Sequence, residues 1–329
     1  MRPLRILIVK TSSLGDVIHM LPAVTDAARA HPGLVVDWLV EEGFAAIPAW
    51  HPAVRRVIPI AMRRGKKQWT ASATWREIAA ARASLKAEDY DRVVDSQGLL
   101  KSALWTWAAR GPRCGYDAAS AREPVAARFY DHRHAVPREM HAIERNRRLL
   151  AQAMGYALDD LSPDYGLAGL AARLPAPGVG LPARYVVGLH GTSRADKEWP
   201  VAGWKSLAAA LLQAGRPLVL PWGNAAEQQR AEAIASAVPG SLVLPRLGLD
   251  ALAVIIDRAD AVVGVDTGLM HLAAGLGKPG LALYTATRPA LTGVVPDRHS
   301  ASSMENRETP AELGADAVIA DLLARLSRD

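Results

Sequence analysis

The chain has 329 residues, half of them hydrophobic, and a formal charge of +6. Its length suits two domains of ordinary size, and no window approaches the ~18 apolar residues of a membrane-spanning helix. One cysteine, Cys114, excludes an internal disulfide framework and a cysteine-based zinc site, and the positive balance points to nucleic acid, anionic lipid or a phosphorylated substrate.

The opening Met-Arg-Pro-Leu-Arg runs straight into a strand-like segment, Leu4–Val9, so no secretory signal is read and a soluble cytoplasmic protein is expected. Lys10-Thr11-Ser12-Ser13-Leu14-Gly15 is a small-polar loop. From Asp16 the spacing of Val17, Met20, Leu21 and Val24 predicts a helix. Asp16 stands where a helix cap belongs. It also stands beyond a strand's carboxyl end, where open α/β sheets bind ligands and where a carboxylate can take a proton. The loop lacks G-x-G-x-x-G, which disfavours a dehydrogenase.

Val35–Val40, Val57–Ile60 and Tyr90–Asp95 read as further strands. After the third strand comes Arg63-Arg64-Gly65-Lys66-Lys67, a solvated loop or a clamp for phosphate, carboxylate or anionic headgroups. His132, His134 and His141 lack carboxylate or cysteine company at ligand spacing, so no metal site is expected. Leu158–Arg184 is interrupted by prolines and glycines and is the best domain boundary.

Beyond it the alternation restarts, with strands at Tyr185–Leu189, Pro217–Leu220, Leu242–Leu244, Val262–Val265 and Leu281–Tyr284. Helices are expected over Val201–Ala214, Glu227–Val238, Leu249–Arg258, Leu269–Leu276 and Ala315–Leu326. This alternation means parallel sheets with right-handed crossovers, and two such halves suggest a cleft between them.

Two stretches of the second half bear on chemistry. Gly191-Thr192-Ser193-Arg194-Ala195-Asp196-Lys197 offers hydroxyls, N–H groups and a cation after a strand. It is an ordinary polar loop or part of a diphosphate site. Val262–Pro279 reads strand, turn, helix, the turn being Asp266-Thr267-Gly268. Such a turn is plain scaffolding, or it presents free N–H groups and a helix dipole to an anion, usually phosphate. His271 falls in the first turn. D-T-G also spells the aspartic-protease triplet, but that enzyme needs two in an all-β setting.

Taken together, Lys10–Val17, Trp38–Phe44, Asp95–Leu99, Lys197–Pro200, Leu220–Gly223 and Val265–Leu272 closely resemble the bacterial ADP-heptose:lipopolysaccharide heptosyltransferases, glycosyltransferase family 9. Six motifs occur in the family's order, over nearly the whole chain. W-L-V-E-E-G-F and K-T-S-S-L-G-D favour the branch that adds the first heptose over the one that adds the second.

The resemblance implies an α/β protein of the GT-B class, two Rossmann-like parallel-sheet domains facing each other across a cleft. It implies an acceptor-binding domain over 1–165, a linker over 166–184, a nucleotide-sugar domain over 185–310 and a terminal helix over 311–329. The implied reaction is inverting and metal-independent. Heptose passes from ADP-L-glycero-D-manno-heptose to the first Kdo of Kdo2-lipid A, beside the inner face of the cytoplasmic membrane, with no nucleic acid involved. Asp16 is similar to the family's general base. Thr192, Ser193, Lys197, Thr267, Gly268 and His271 resemble diphosphate ligands, with Lys197 also catalytic. Asp266 resembles the acid near the donor sugar, and Glu227 a ribose ligand. Ser13, Arg63, Arg64, Lys66, Lys67 and Arg122 would face the anionic acceptor.

Two departures stand out. The family often has Thr-Thr where this chain has Thr192-Ser193, which keeps the hydroxyl. The family's G-x-T-D-P after the penultimate strand is Thr285-Ala286-Thr287-Arg288-Pro289 here, which argues against a donor contact from that loop. The alternative within enzymes is another transferase of the same family, adding heptose to heptose. A non-catalytic nucleotide-binding module fits the charge, but lacks an aromatic-plus-basic strand motif.

Overall fold

Arg5–Val9 (R-I-L-I-V) forms strand β1, and its last four residues are buried. A strand buried on both faces must be apolar along its whole length, as parallel strands covered by helices are. The structure, a computed structural model, describes residues 2–62, 64, 72–158, 162–300 and 304–327. The chain divides into two units, Met1–Gly166 and Leu167–Asp329.

The N-terminal unit holds β1, β2 (Val35–Glu41), β3 (Val54–Ile60), β4 (Arg92–Asp95), β5 (Arg113–Tyr116) and β6 (His132–His134), ordered β3-β2-β1-β4-β5-β6. The C-terminal unit holds β7 (Val186–Leu189), β8 (Leu218–Leu220), β9 (Leu242–Val243), β10 (Ala261–Val265), β11 (Gly280–Leu283) and β12 (Met304–Arg307), ordered β12-β11-β10-β7-β8-β9. The pairings along both sheets are parallel. Each unit therefore repeats the Rossmann order, in which the first and fourth strands of the unit lie side by side at the centre. The chain leaves those two strands in opposite directions, which opens a crevice beyond their carboxyl ends. In the N-terminal unit that crevice lies between the ends of β1 and β4. In the C-terminal unit it lies between the ends of β7 and β10.

Helices cover both sheets through ordinary apolar packing. In the N-terminal unit Leu7, Val9, Leu39, Ile58 and Leu85 share a core with Trp105. In the C-terminal unit Val263, Val265, Leu281 and Leu283 pack with Trp204, Leu207 and Leu322. Gly264 of β10 matters to the site. A Cβ there would meet Leu189 Cβ at 2.6 Å and Met270 Sδ at 2.7 Å. Only glycine lets the following helix sit this close to β10.

Strands β5, β6 and β12 (R-C-G-Y, H-R-H and M-E-N-R) were not expected from the sequence. They lack an apolar run because they lie at or next to sheet edges, where backbone pairing alone suffices. The His132 and His134 pair is thus part of an edge strand. Among the described residues, no helix is long and apolar enough to cross a membrane.

Candidate active site

In the N-terminal unit the loop after β1 is fastened to the loop after β4. Lys10 Nζ donates to the Ser96 carbonyl at 2.9 Å, and Trp38 Nε1 donates to the Lys10 carbonyl at 3.1 Å. The Thr11 and Ser12 amides donate to Gln97 Oε1 at 3.2 and 3.3 Å. Asp95 is fully buried at the end of β4 and accepts from the Gln97 amide at 2.8 Å and the Tyr130 hydroxyl at 2.7 Å. Burial pushes its carboxyl above the ordinary range, against the pull of those bonds.

The first helix begins two residues earlier than expected, at Leu14, and Ser13 is its N-cap. Asp16 is therefore not the cap but the third helical residue, the acid of a capping box. The Ser13 amide and hydroxyl both donate to Asp16 Oδ2, at 2.8 and 2.9 Å. This reciprocal arrangement fixes the carboxylate by its own loop. Its second oxygen has no hydrogen-bond partner among the described residues. The structural and catalytic readings of Asp16 therefore do not compete, since one oxygen serves the cap and one stays available.

A basic neighbourhood surrounds it. Lys10 is 6% exposed. Burial lowers its ammonium from the ordinary value, while Asp16 and Asp95 work to raise it and Arg145 and Arg122 to lower it. Arg145 lies 4.7 Å over the Tyr116 ring. Neither Lys10 nor Arg145 was singled out from the sequence, because nothing local distinguishes a lysine at a strand end. Arg122 is exposed. Arg64 is held by Glu42 and Glu77, each at 3.0 Å, and is not a free cation. Arg63, Lys66 and Lys67 lie outside the described residues.

In the C-terminal unit the two stretches expected to bind an anion meet at the ends of β7 and β10. Thr192 Oγ1 donates to the Asp266 carbonyl at 3.1 Å, and Lys197 Nζ donates to Asp266 Oδ2 at 2.7 Å. Thr287 Oγ1 donates to the same carboxylate oxygen at 2.7 Å. Burial pushes the Asp266 carboxyl up, but Lys197 and Thr287 outweigh it and hold it below the ordinary carboxylate range. Asp266 is accordingly ionised at neutral pH.

The sequence put a donor contact from the loop 285–289 in doubt; within the protein, Thr287 props this acid and Thr285 Oγ1 donates to the Asp196 carbonyl at 2.9 Å. Hydroxyls do the work there, so the change of Asp to Arg288 does not disconnect the loop.

Thr267 is the extended N-cap of the helix Gly268–Gly275, and no side-chain bond caps it. The first-turn N–H groups and the positive end of the dipole lie beside Lys197 and Thr192. His271 is buried on this helix. Ser193 is exposed on the β7 loop. Glu227 accepts from the Gly223 amide at 2.7 Å and from Asn224 Nδ2 at 2.8 Å. It lies against Gly191, where a Cβ would come within 2.8 Å of its Cδ. Glycine at 191 thus admits a carboxylate to the edge of the anion corner.

His190, directly after β7, is fully buried and bonds the Pro221 carbonyl through Nε2 at 3.1 Å. Burial, helped by Arg230, pushes its imidazole down from 6.5 to about 4. The unfolded chain takes up this proton near pH 6.5, while the folded protein refuses it until about pH 4. Stability is therefore full above the upper value and falls by about 3 kcal/mol as pH drops to the lower one. A proton NMR titration should show one histidine with this depressed midpoint, lost in His190→Gln.

The family model for glycosyltransferase family 9 (heptosyltransferase) matches residues 58–317. The chain belongs to glycosyltransferase family 9. Lipopolysaccharide heptosyltransferase 1 of Pseudomonas aeruginosa is 50% identical over 294 residues, covering 88% of this chain and 81% of that one. The structure of the Escherichia coli heptosyltransferase WaaC with ADP superposes with a TM-score of 0.88 at 40% identity, covering 99% of each chain. The same enzyme with ADP-2-deoxy-2-fluoro heptose gives 0.86 at 41%, covering 98% of this chain and 99% of that one. Family membership makes this chain a glycosyltransferase, and its two parallel sheets are the Rossmann-like domains of the GT-B class.

Proposed function

We propose that this enzyme transfers L-glycero-D-manno-heptose from ADP-heptose to the first Kdo of Kdo2-lipid A, with inversion and without a metal ion. The observation that carries the proposal is the corner at the ends of β7 and β10. Lys197, Thr192, Thr287 and an uncapped helix start gather there around Asp266. The close likeness to a heptosyltransferase that holds ADP supports reading this corner as the diphosphate site. In this reading the C-terminal unit takes the donor and the N-terminal unit takes the acceptor.

The chemistry follows from those parts. A sugar hydroxyl is a weak nucleophile at neutral pH, so the free oxygen of Asp16 accepts its proton as the bond to the anomeric carbon forms. The bond from that carbon to ADP breaks on the opposite face, which inverts the centre. The electron pair leaves on the β-phosphate. Lys197, the Thr192, Ser193 and Thr267 groups and the Gly268 end of the helix meet the new charge. His271 adds a donor to the same corner, and Asp266 keeps Lys197 in place next to the donor sugar. Glu227 takes the ribose hydroxyls. This reading assigns Ser13, Arg122 and the basic residues Arg63, Lys66 and Lys67 to the acidic acceptor, while Arg64 is paired with Glu42 and Glu77. The positive surface favours work beside an anionic inner leaflet.

The test is a release assay for ADP, GDP and UDP with their sugars, against Kdo-terminated and heptose-terminated acceptors. ADP-heptose with Kdo2-lipid A should turn over, and the rate should be unchanged by EDTA. Turnover only on the heptose-terminated acceptor would assign the second transfer instead. No heat and no thermal shift with ADP would remove the donor site.

A further inference from the structure

The loop after β11 is pinned at two points to the corner at the ends of β7 and β10. Thr285 Oγ1 donates to the Asp196 carbonyl at 2.9 Å, and Thr287 Oγ1 donates to Asp266 Oδ2 at 2.7 Å. The second bond ends on the same oxygen that accepts from Lys197 Nζ, also at 2.7 Å. Arg288 is the next residue, so its Cα stands about 3.8 Å from that of Thr287. An extended arginine side chain is longer than this step. The Thr287 bond therefore anchors Arg288 within a side chain's length of the Lys197–Asp266 pair.

The other cations of this neighbourhood are matched by acids. Lys197 pairs with Asp266 at 2.7 Å, Arg230 with Glu198 at 2.9 Å, and Arg194 with Asp196. Glu227 is a further carboxylate, lying against Gly191. Arg288 differs from all of them. It is exposed, and it has no carboxylate partner among the described residues. A matched pair shows an approaching anion a dipole. An unmatched arginine shows it a whole charge and a planar fork of N–H groups. Without Arg288 the formal charges of these side chains sum to no positive excess for a diphosphate. The heptosyltransferase pattern G-x-T-D-P has an acid at this position, so the sign of the charge is reversed in this chain.

We infer that Arg288 is a donor-binding residue of this chain, holding the β-phosphate of the nucleoside diphosphate through its guanidinium. The inference rests on reading the corner as the diphosphate site. Asp266 and Thr287 keep Lys197 in place, and Arg288 supplies the net charge that draws the diphosphate in. Because the side chain is exposed and unpaired, its replacement disturbs no packing, and the variants report on binding rather than on folding.

The experiment is calorimetric titration of the full chain with ADP and with AMP, for wild type, Arg288→Lys, Arg288→Gln and Arg288→Asp. ADP affinity should fall by about tenfold or more in Arg288→Gln, as loss of a charge-assisted fork predicts. It should fall further in Arg288→Asp, while Arg288→Lys keeps part of it. AMP, which lacks the β-phosphate, should bind all four proteins alike. Added salt should weaken ADP binding more steeply in wild type than in Arg288→Gln. The KM for ADP-heptose should rise in step with the loss of ADP affinity, and the KM for the acceptor should not move. Equal ADP affinity in wild type and Arg288→Gln overturns the inference. So does an equal loss for AMP and ADP, or a change confined to the acceptor KM. Those results would leave the diphosphate corner standing, because wild type would still bind ADP. A wild type that binds no ADP would instead refute the corner, and the role of Arg288 with it.

Discussion

Asp16→Ala should fold and bind ADP, yet turn over ~10²–10⁴-fold more slowly, the range expected when a general base is removed. The capping box makes this result readable. Asp16 Oδ2 accepts from the Ser13 amide and hydroxyl, so the alanine variant loses a helix-start interaction as well as a base. That loss costs about 0.5–2 kcal/mol, a modest thermal shift rather than unfolding. Asp16→Asn separates the two roles. Its amide oxygen can still accept from Ser13, so stability should stay near wild type, while the amide takes no proton from an acceptor hydroxyl. Both variants should therefore be equally slow, and only alanine should be less stable. If asparagine at position 16 turns over at the wild-type rate, Asp16 is a cap and nothing more.

Lys197→Ala is expected to weaken ADP-sugar binding and to lower kcat by about 10²–10³, as loss of one preorganised donor to a developing oxyanion does. The reason is local charge. Lys197 and Asp266 form a half-buried pair at 2.7 Å, 17% and 12% exposed. Removing the lysine takes away the cation that faces the diphosphate and leaves the Asp266 charge opposing it. Thr287 remains, but a hydroxyl supplies no charge. The sign of the imbalance gives a second measurement. Asp266→Asn in the Lys197→Ala background should recover part of the lost donor affinity, because the uncompensated negative charge is gone. Unchanged kinetics in Lys197→Ala would reject its role. Failure of the double variant to recover affinity would place the effect in geometry rather than charge.

Much of the fold was legible because secondary structure is coded locally. R-I-L-I-V and A-V-V-G-V are apolar throughout, and each is a central, doubly covered strand. The helix Ala315–Leu326 was legible from its spacing alone. Legibility failed at the sheet margins. R-C-G-Y, H-R-H and M-E-N-R owe their strand state to a neighbour's backbone, which leaves no periodicity in their side chains. The start of the first helix was misjudged for a related reason. Asp16 and Ser13 are both good cap residues, and only the finished capping box shows which of them is the cap.

What the sequence determined by itself is the chemical vocabulary: an acid after β1, hydroxyls and a lysine after β7, an acid and an open helix start after β10. What only the tertiary structure decided is who meets whom. Lys197 reaches Asp266 across 69 positions of sequence, Thr192 across 74, and Thr287 across 21. No local pattern encodes such meetings. They arise because parallel strands need long crossovers, so residues distant in sequence arrive together at the carboxyl ends of neighbouring strands. The same ordering fastens Lys10 to the Ser96 carbonyl and makes the 285–289 loop a support for Asp266.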